Sequence, residues 1–155
     1  MDSTEKIAWK EKLKQYCQHQ IEQRMAAAKK AISDAQESAN SEEKSSAGDK
    51  YETGRAMGHL QKDMFARQLS EYLKELGALQ AVNTSVIYDH ICAGACIEAG
   101  QLQFFIAAGL GKQMIEDREI FFLSPHAPLA ISLQNKKQGY SFEFNKATVV
   151  INSVF

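Results

Sequence analysis

The sequence predicts an α+β fold: a long antiparallel α-helical coiled-coil hairpin, followed by a small β-rich domain with one short helix. Three observations carry this expectation. Residues 4 to about 80 are rich in Lys, Glu, Gln, Ala and Leu and hold no proline, whereas residues 84–155 hold most of the Phe, Ile and Val. Apolar residues recur at helical spacing through the first stretch. Short β-branched and aromatic runs, separated by glycine or polar breaks, fill the second. The expected division is a hairpin over residues 1–81, with its tip near 40–50, and a β domain over 82–155.

In the first helix Leu13, Cys17, Ile21, Met25, Ala28, Ile32, Ala35 and Ala39 recur at steps of three and four and draw one apolar stripe. A polar stretch, Asn40-Ser41-Glu42-Glu43-Lys44-Ser45-Ser46, interrupts it. A second stripe then runs through Ala47, Tyr51, Gly54, Gly58, Phe65, Leu69, Leu73 and Leu79. Facing residues of an antiparallel hairpin have position numbers with a constant sum, and a sum of 86 pairs Leu13 with Leu73, Cys17 with Leu69, Ile21 with Phe65 and Ala28 with Gly58. This register centres the hairpin on Glu43 and leaves Met25 to be covered by Leu60 and Met64. Arms of about 35 residues at 1.5 Å each imply a rod of about 50 Å. The stripe changes from Leu, Ile and Phe near the base to Ala and Gly toward the tip, so the distal half should be thin.

Charge is partitioned along the expected rod. Residues 1–32 carry seven Lys or Arg against four Asp or Glu. Residues 33–52 carry Asp34, Glu37, Glu42, Glu43, Asp49 and Glu52 against Lys44 and Lys50 alone. Carboxylates at the start of a helix also favour its positive dipole end, so an ordinary solvated loop explains part of the pattern. Exposed carboxylates at the end of a thin rod can also deliver oxygen ligands to a Mg²⁺ held mainly by another protein.

In the second module, strands are expected at Ser85–Tyr88, Gly94–Glu98, Gln101–Ala107, Glu119–Leu123, Tyr140–Phe144 and Thr148–Val154, five or six in all. Ala99-Gly100 and Asn145-Lys146 read as hairpin turns. Ser124 can cap a helix that begins at Pro125, runs through Leu129, Ala130 and Leu133, and stops before Gly139.

The 155 residues are 45% apolar and 24% charged, with 18 basic and 19 acidic side chains and a net charge of −1. No global field therefore selects nucleic acid or an anionic membrane as partner. No apolar run reaches the roughly 18 residues of a membrane span, and Met1–Lys6 lacks the features of a secretory signal, so a cytoplasmic protein is expected. Cys17, Cys92 and Cys96 are sparse and odd in number, which fits reduced core thiols; His90, Cys92 and Cys96 lack a fourth metal ligand nearby. No nucleophile has an identifiable base, Gly109-Leu110-Gly111-Lys112 is too short for a P-loop, and His126 reads as a surface residue. A binding protein, not an enzyme, is the expectation.

The whole plan resembles the Gre transcript-cleavage factors of bacterial RNA polymerase. The sharpest local match is Leu123-Ser124-Pro125-His126-Ala127-Pro128-Leu129 followed by Lys136-Lys137-Gln138-Gly139, similar to the family's Ser-Pro helix and its Gly-Lys-Lys-x-Gly turn. Asn135 replaces a Gly there, and Asn tolerates the left-handed backbone that a helix stop requires. The resemblance implies an FKBP-like β domain that docks at the rim of the polymerase secondary channel, with Ser124 and Pro125 in the docking region. It implies a hairpin that reaches the polymerase active centre and stimulates the polymerase's own cleavage of backtracked RNA. Glu42, Glu43, Asp49 and Glu52 would then assist a Mg²⁺ supplied there, and contact with RNA and DNA would come only through the elongation complex. A monomer with no stably bound cofactor is implied. Aligned on Tyr51, the family's acidic positions hold Lys44 and Ala47, and Asp49 with Glu52 keep the three-residue separation in a shifted register. Two alternatives remain open: a secondary-channel binder that regulates without cleavage, and a coiled-coil adaptor unrelated to polymerase.

Overall fold

In a computed structural model, the backbone is described for residues 1–43 and 48–155, and the side chains for residues 1–41 and 53–155. The elements are α1 (Ser3–Glu43), α2 (Gly48–Gln80), β1 (Cys96–Ala99), β2 (Leu102–Ile106), β3 (Gly111–Ile115), β4 (Arg118–Leu123), α3 (Pro128–Leu133), β5 (Ser141–Phe144) and β6 (Ala147–Val154). The chain is thus α+β: long helices first, then a six-stranded mixed sheet with one short helix. Contacts divide it into two compact units, Met1–Gln18 with Ala78–Phe155, and His19–Gly77.

Helix α1 starts at a reciprocal capping box. The Glu5 amide donates to Asp2 Oδ1 at 2.8 Å, and the Asp2 amide donates to Glu5 Oε2 at 2.8 Å. Two backbone donors that a helix start leaves free are satisfied in this way. No proline interrupts the next 80 residues, and good helix formers dominate them.

In the first unit the sheet order is β3-β4-β2-β1-β6-β5. Strands β2 and β4 are parallel, with Phe104 opposite Phe121 and Phe105 opposite Phe122; the other pairs are antiparallel. Successive side chains of a strand point to opposite faces, so these two double-Phe steps place aromatic rings on both sides of the sheet. On one side Phe104 stacks on Phe121 with centroids 5.4 Å apart and meets Phe144 edge-on at 5.2 Å, and Ala130 and Leu133 of α3 join the same cluster. On the other, Tyr16 of α1 stacks on Phe122 at 5.7 Å and its hydroxyl donates to Gln113 Oε1 at 2.7 Å. The sheet centre is covered by α1 on one face and α3 on the other.

Most strands lie where composition places them, but three local expectations change. Ser85–Tyr88 forms no strand. Its backbone is held by side chains of α1 instead: Lys10 Nζ donates to the Val86 carbonyl at 2.7 Å, and, just before the segment, Lys14 Nζ donates to the Val82 carbonyl at 2.7 Å. Strand β3 is an addition, because Gly111-Lys112-Gln113-Met114 has little β propensity; its pairing with β4 forms it. Helix α3 begins at Pro128 after Ala127, not at Pro125 after Ser124. Between them the Ala127 amide donates to the Ser124 carbonyl at 3.0 Å, and the Ser124 side chain serves a turn rather than a helix cap.

In the second unit the buried positions of α1 are Ile21, Ala28, Ala35 and Ala39. On α2 the inward positions are Gly58, Lys62, Phe65, Leu69, Tyr72 and Leu76, at alternating steps of four and three. Leu73, placed inside by the sequence stripe, is 51% exposed, and Leu60 and Met64, expected to cover Met25, are 62% and 45% exposed. The register differs too. A Cβ on Gly58 would lie 3.0 Å from Ala39 Cβ and 3.5 Å from the Ala35 carbonyl oxygen, and Lys62 Nζ donates to Gln36 Oε1 at 2.9 Å. These pairs sum to between 93 and 98, not 86. A repeating stripe of alanines presents nearly the same surface one turn further along, so number sums alone do not fix the register.

Two glycines of α2 test this packing in opposite directions. Gly58→Leu should destabilise the protein by about 1–3 kcal/mol, the usual cost of overpacking a close contact. At Gly77 a Cβ would meet nothing within 4 Å, so Gly77→Ala should stabilise by about 0.5–1 kcal/mol through helix propensity alone. Urea denaturation followed by circular dichroism checks both; equal effects of one sign would contradict the assigned contact.

Candidate functional site

The four carboxylates expected to act lie at consecutive ends of the two long helices. Glu42 and Glu43 close α1, and Asp49 and Glu52 belong to the first turns of α2. Their side chains lie outside the described residues, as do Lys44 and Ala47 altogether. Before them on α1, Asp34, Glu37, Ser38 and Ser41 line one shallow polar recess. The thin cross-section expected for this part of the helical pair is present at Gly58, Ala35 and Ala39, where backbones approach closely enough that even a methyl group on Gly58 would crowd its neighbour.

Ser124 and Pro125 follow directly on β4 and are half-buried. The Ser124 Oγ accepts the His126 amide at 3.2 Å, which sets the turn into α3. Asn135 follows that helix with φ +67°, as expected of a residue that tolerates left-handed backbone. Its amide donates to the Ile91 carbonyl at 2.8 Å, and the Ile91 amide donates to the Lys136 carbonyl at 2.9 Å. Gly139, with φ +94°, passes the chain to β5, its amide donating to the Ile151 carbonyl at 2.9 Å. The Lys137 ammonium lies 3.8 Å from Asp89 Oδ2. The hydrogen bond between His90 and Asp89, at 2.8 Å, and then the charge of Lys137 hold the Asp89 carboxyl below its usual range.

A second constellation matches no sequence motif. Lys10 is fully buried, its Nζ bonded to the Val86 carbonyl and 4.5 Å from the centre of the Tyr88 ring. Desolvation lowers its pKa to about 8, against the opposing pull of Cys96 and Cys92. Thr84 donates its hydroxyl to Glu11, so the irregular segment after α2 is pinned to α1 by three polar side chains, Lys10, Glu11 and Lys14. Gly94 completes the arrangement: with φ +91° it sits where a Cβ would meet Val82 at 3.1 Å and Tyr88 at 3.5 Å. The available sequence signal is spacing, because Lys10 falls three residues before Leu13 and seven before Cys17 on the apolar stripe.

Cys17 and Cys96 are buried and Cys92 is half-buried, all three as free thiols. Burial pushes the Cys17 and Cys96 thiols up to about 12, so neither is an activated nucleophile. His90 meets Tyr88 edge-on, with centroids 6.2 Å apart. Among the described residues no group of three or more His, Cys, Asp or Glu is placed to hold a metal ion, and no helix is long and apolar enough to cross a membrane.

No protein-family model, no curated protein and no solved structure matches the chain.

The buried lysine makes stability depend on pH with a defined sign. Between about pH 8 and its ordinary value of 10.5, the unfolded chain binds the Lys10 proton and the folded chain does not, so the Lys10 contribution to stability rises with pH there. The Cys17 and Cys96 thiols act oppositely: from their ordinary value of 9.0 upward the unfolded chain ionises first, and stability falls. Lys10→Met should therefore remove the gain between about pH 8 and 9 and steepen the fall above it, because Lys10 no longer offsets the two thiols. Urea midpoints of both proteins at half-unit pH steps check this, and parallel curves would contradict it.

Proposed function

We propose that this chain is a transcription elongation factor of the Gre type, which binds the secondary channel of bacterial RNA polymerase and stimulates the polymerase's own cleavage of backtracked RNA. The observation that carries the reading is a pair of long helices narrowed to alanine and glycine contacts just before their acid-rich ends, in one chain with an α+β unit bearing the Ser124-Pro125 turn and Lys136-Lys137-Gln138-Gly139. In this reading the helices form an antiparallel coiled-coil hairpin, and the sheet with α3 is an FKBP-like domain.

Ser124 and Pro125 take part in docking at the channel rim. Glu42, Glu43, Asp49 and Glu52 supply oxygen ligands toward a Mg²⁺ at the polymerase active centre, where hydrolysis of the RNA takes place. The chain has no catalytic residue of its own, works as a cytoplasmic monomer, and meets nucleic acid only within the elongation complex.

A second reading is favoured by one feature of the sequence. Lys44 and Ala47 occupy the positions at which the family's two acids stand, so the tip delivers a cation and a methyl group where two carboxylates are needed. A chain of this kind would occupy the channel and regulate transcription without cleavage.

Purified protein added to its own RNA polymerase, stalled in a backtracked complex, distinguishes the two. Release of the RNA 3′ fragment, together with complex formation, is the expected result. Glu42→Ala with Glu43→Ala, or Asp49→Ala with Glu52→Ala, should lower stimulated cleavage by about 10- to 100-fold while complex formation persists, as when a metal loses supporting oxygen groups. Ser124→Ala with Pro125→Ala should weaken binding itself. Binding without cleavage favours the channel-occupying regulator; absence of both would falsify the polymerase assignment and leave the adaptor.

A further inference from the structure

A recess on the first unit is used neither by the acidic helix ends nor by the Ser124-Pro125 turn. It has a volume of about 320 Å³ and is lined by Met1, Glu5, Ala8, Trp9, Lys12 and Arg118. Most of its polar groups are engaged. Glu5 caps α1 through Asp2, and Lys12 pairs with Glu116. Arg118 is different. Its guanidinium lies 4.7 Å from the centre of the Trp9 ring and, among the described residues, makes no hydrogen bond or ion pair. Trp9 is 6% exposed, and among the described residues its indole N–H has no acceptor. A buried donor without a partner is uncommon in a folded protein and calls for an explanation.

We propose that the Trp9–Arg118 recess binds a carboxylate side chain of an acidic segment on a partner protein. An aromatic ring beneath a guanidinium fixes its plane and leaves its outward N–H groups free, and a planar fork of donors matches the two oxygens of a carboxylate. The same Arg118 also borders a neighbouring recess with Glu98, Asp117 and Glu119, whose carboxylates repel an anion, so the ligand approaches from the Trp9 side. A phosphate fits less well. The first backbone donors of α1 are already taken by Asp2 and Glu5, and the Glu5 carboxylate beside them disfavours a dianion. This proposal is independent of the polymerase reading, because every residue it uses belongs to the first unit and none is part of the acidic helix ends or the Ser124-Pro125 turn.

Trp9 is the chain's one tryptophan, so its fluorescence reports directly on the recess. The full-length protein is titrated with an acetylated, amidated hexaglutamate peptide, following Trp9 emission and, in parallel, the heat of binding. A saturable change is expected. Arg118→Gln should weaken binding about tenfold or more, as expected on losing a charge-assisted pair of hydrogen bonds, and Lys29→Gln, an exposed charge of the second unit, should not. Arg118→Lys keeps the charge and loses the fork, so it should also bind weakly; it serves as the second variant if the glutamine form melts early. Absence of saturation, equal binding by the Arg118 variants, or displacement of the peptide by equimolar inorganic phosphate would overturn the proposal.

Discussion

The parallel pairing of β2 with β4 is the constraint on which the first unit depends. It puts Phe104 beside Phe121 and Phe105 beside Phe122, and each pair faces the opposite side of the sheet from the other. Neither face can then be left to water. Parallel strands are found where both faces are covered, and this chain covers them with different material: α3 over Phe104 and Phe121, and Tyr16 of α1 over Phe122. Residues at the two ends of the sequence are thereby drawn into one core. Phe155 is fully buried and exchanges backbone hydrogen bonds with Cys96 at 2.7 and 3.0 Å, while Leu13 of α1 is buried in the same unit. The start of the long N-terminal helix is therefore part of the β-rich unit, not merely an extension attached to it.

A buried lysine is a costly way to fasten that helix, because an ammonium must be removed from water. Lys10 offsets the cost through a carbonyl acceptor and an aromatic face, and it gives in return what an apolar residue would not: a defined partner. The Val86 carbonyl belongs to a segment with strand composition, Ser85-Val86-Ile87-Tyr88, that has no neighbouring strand. Backbone carbonyls left without a ladder need donors of some kind, and two lysines of α1, one turn apart, supply them at Val86 and Val82.

The same segment separates what is legible in the sequence from what is not. Composition locates the sheet, and the turns at Ala99-Gly100 and Asn145-Lys146 are visible because Gly100, Asn145 and Lys146 all adopt positive φ in places where residue chemistry or spacing signals a turn. The turn at Glu116-Asp117 also has positive φ, at 50° and 62°, but Asp117 is its one turn-forming residue and β3 has little β propensity, so the hairpin β3 forms with β4 carries only a weak local signal. Ser85–Tyr88 fails in the opposite sense. Its propensity is that of a strand, and a tertiary contact from a residue 76 positions away decides its conformation. Of the candidate site, the two long helices and a short helix after β4 can be anticipated from pattern, though Ser124 makes a turn where a helix cap is expected; Arg118 over Trp9 cannot, because it joins a helix to a strand with no shared periodicity.

Register in the second unit follows a related logic. A stripe of Ala28, Ala35 and Ala39 is nearly the same surface at each repeat, so apolar packing by itself would allow α2 to slide along it. Gly58 narrows the choice by fitting against Ala39, but a glycine excludes little. The discriminating contact is polar. Lys62 stands on the inward face between Gly58 and Phe65 and donates to Gln36 at 2.9 Å. A displacement along α1 would break that bond, so the native alignment is the one in which Lys62 meets Gln36. Lys62 in one unit and Lys10 in the other are alike in one respect: each stands among apolar residues and ties its helix to one defined acceptor, Gln36 Oε1 and the Val86 carbonyl.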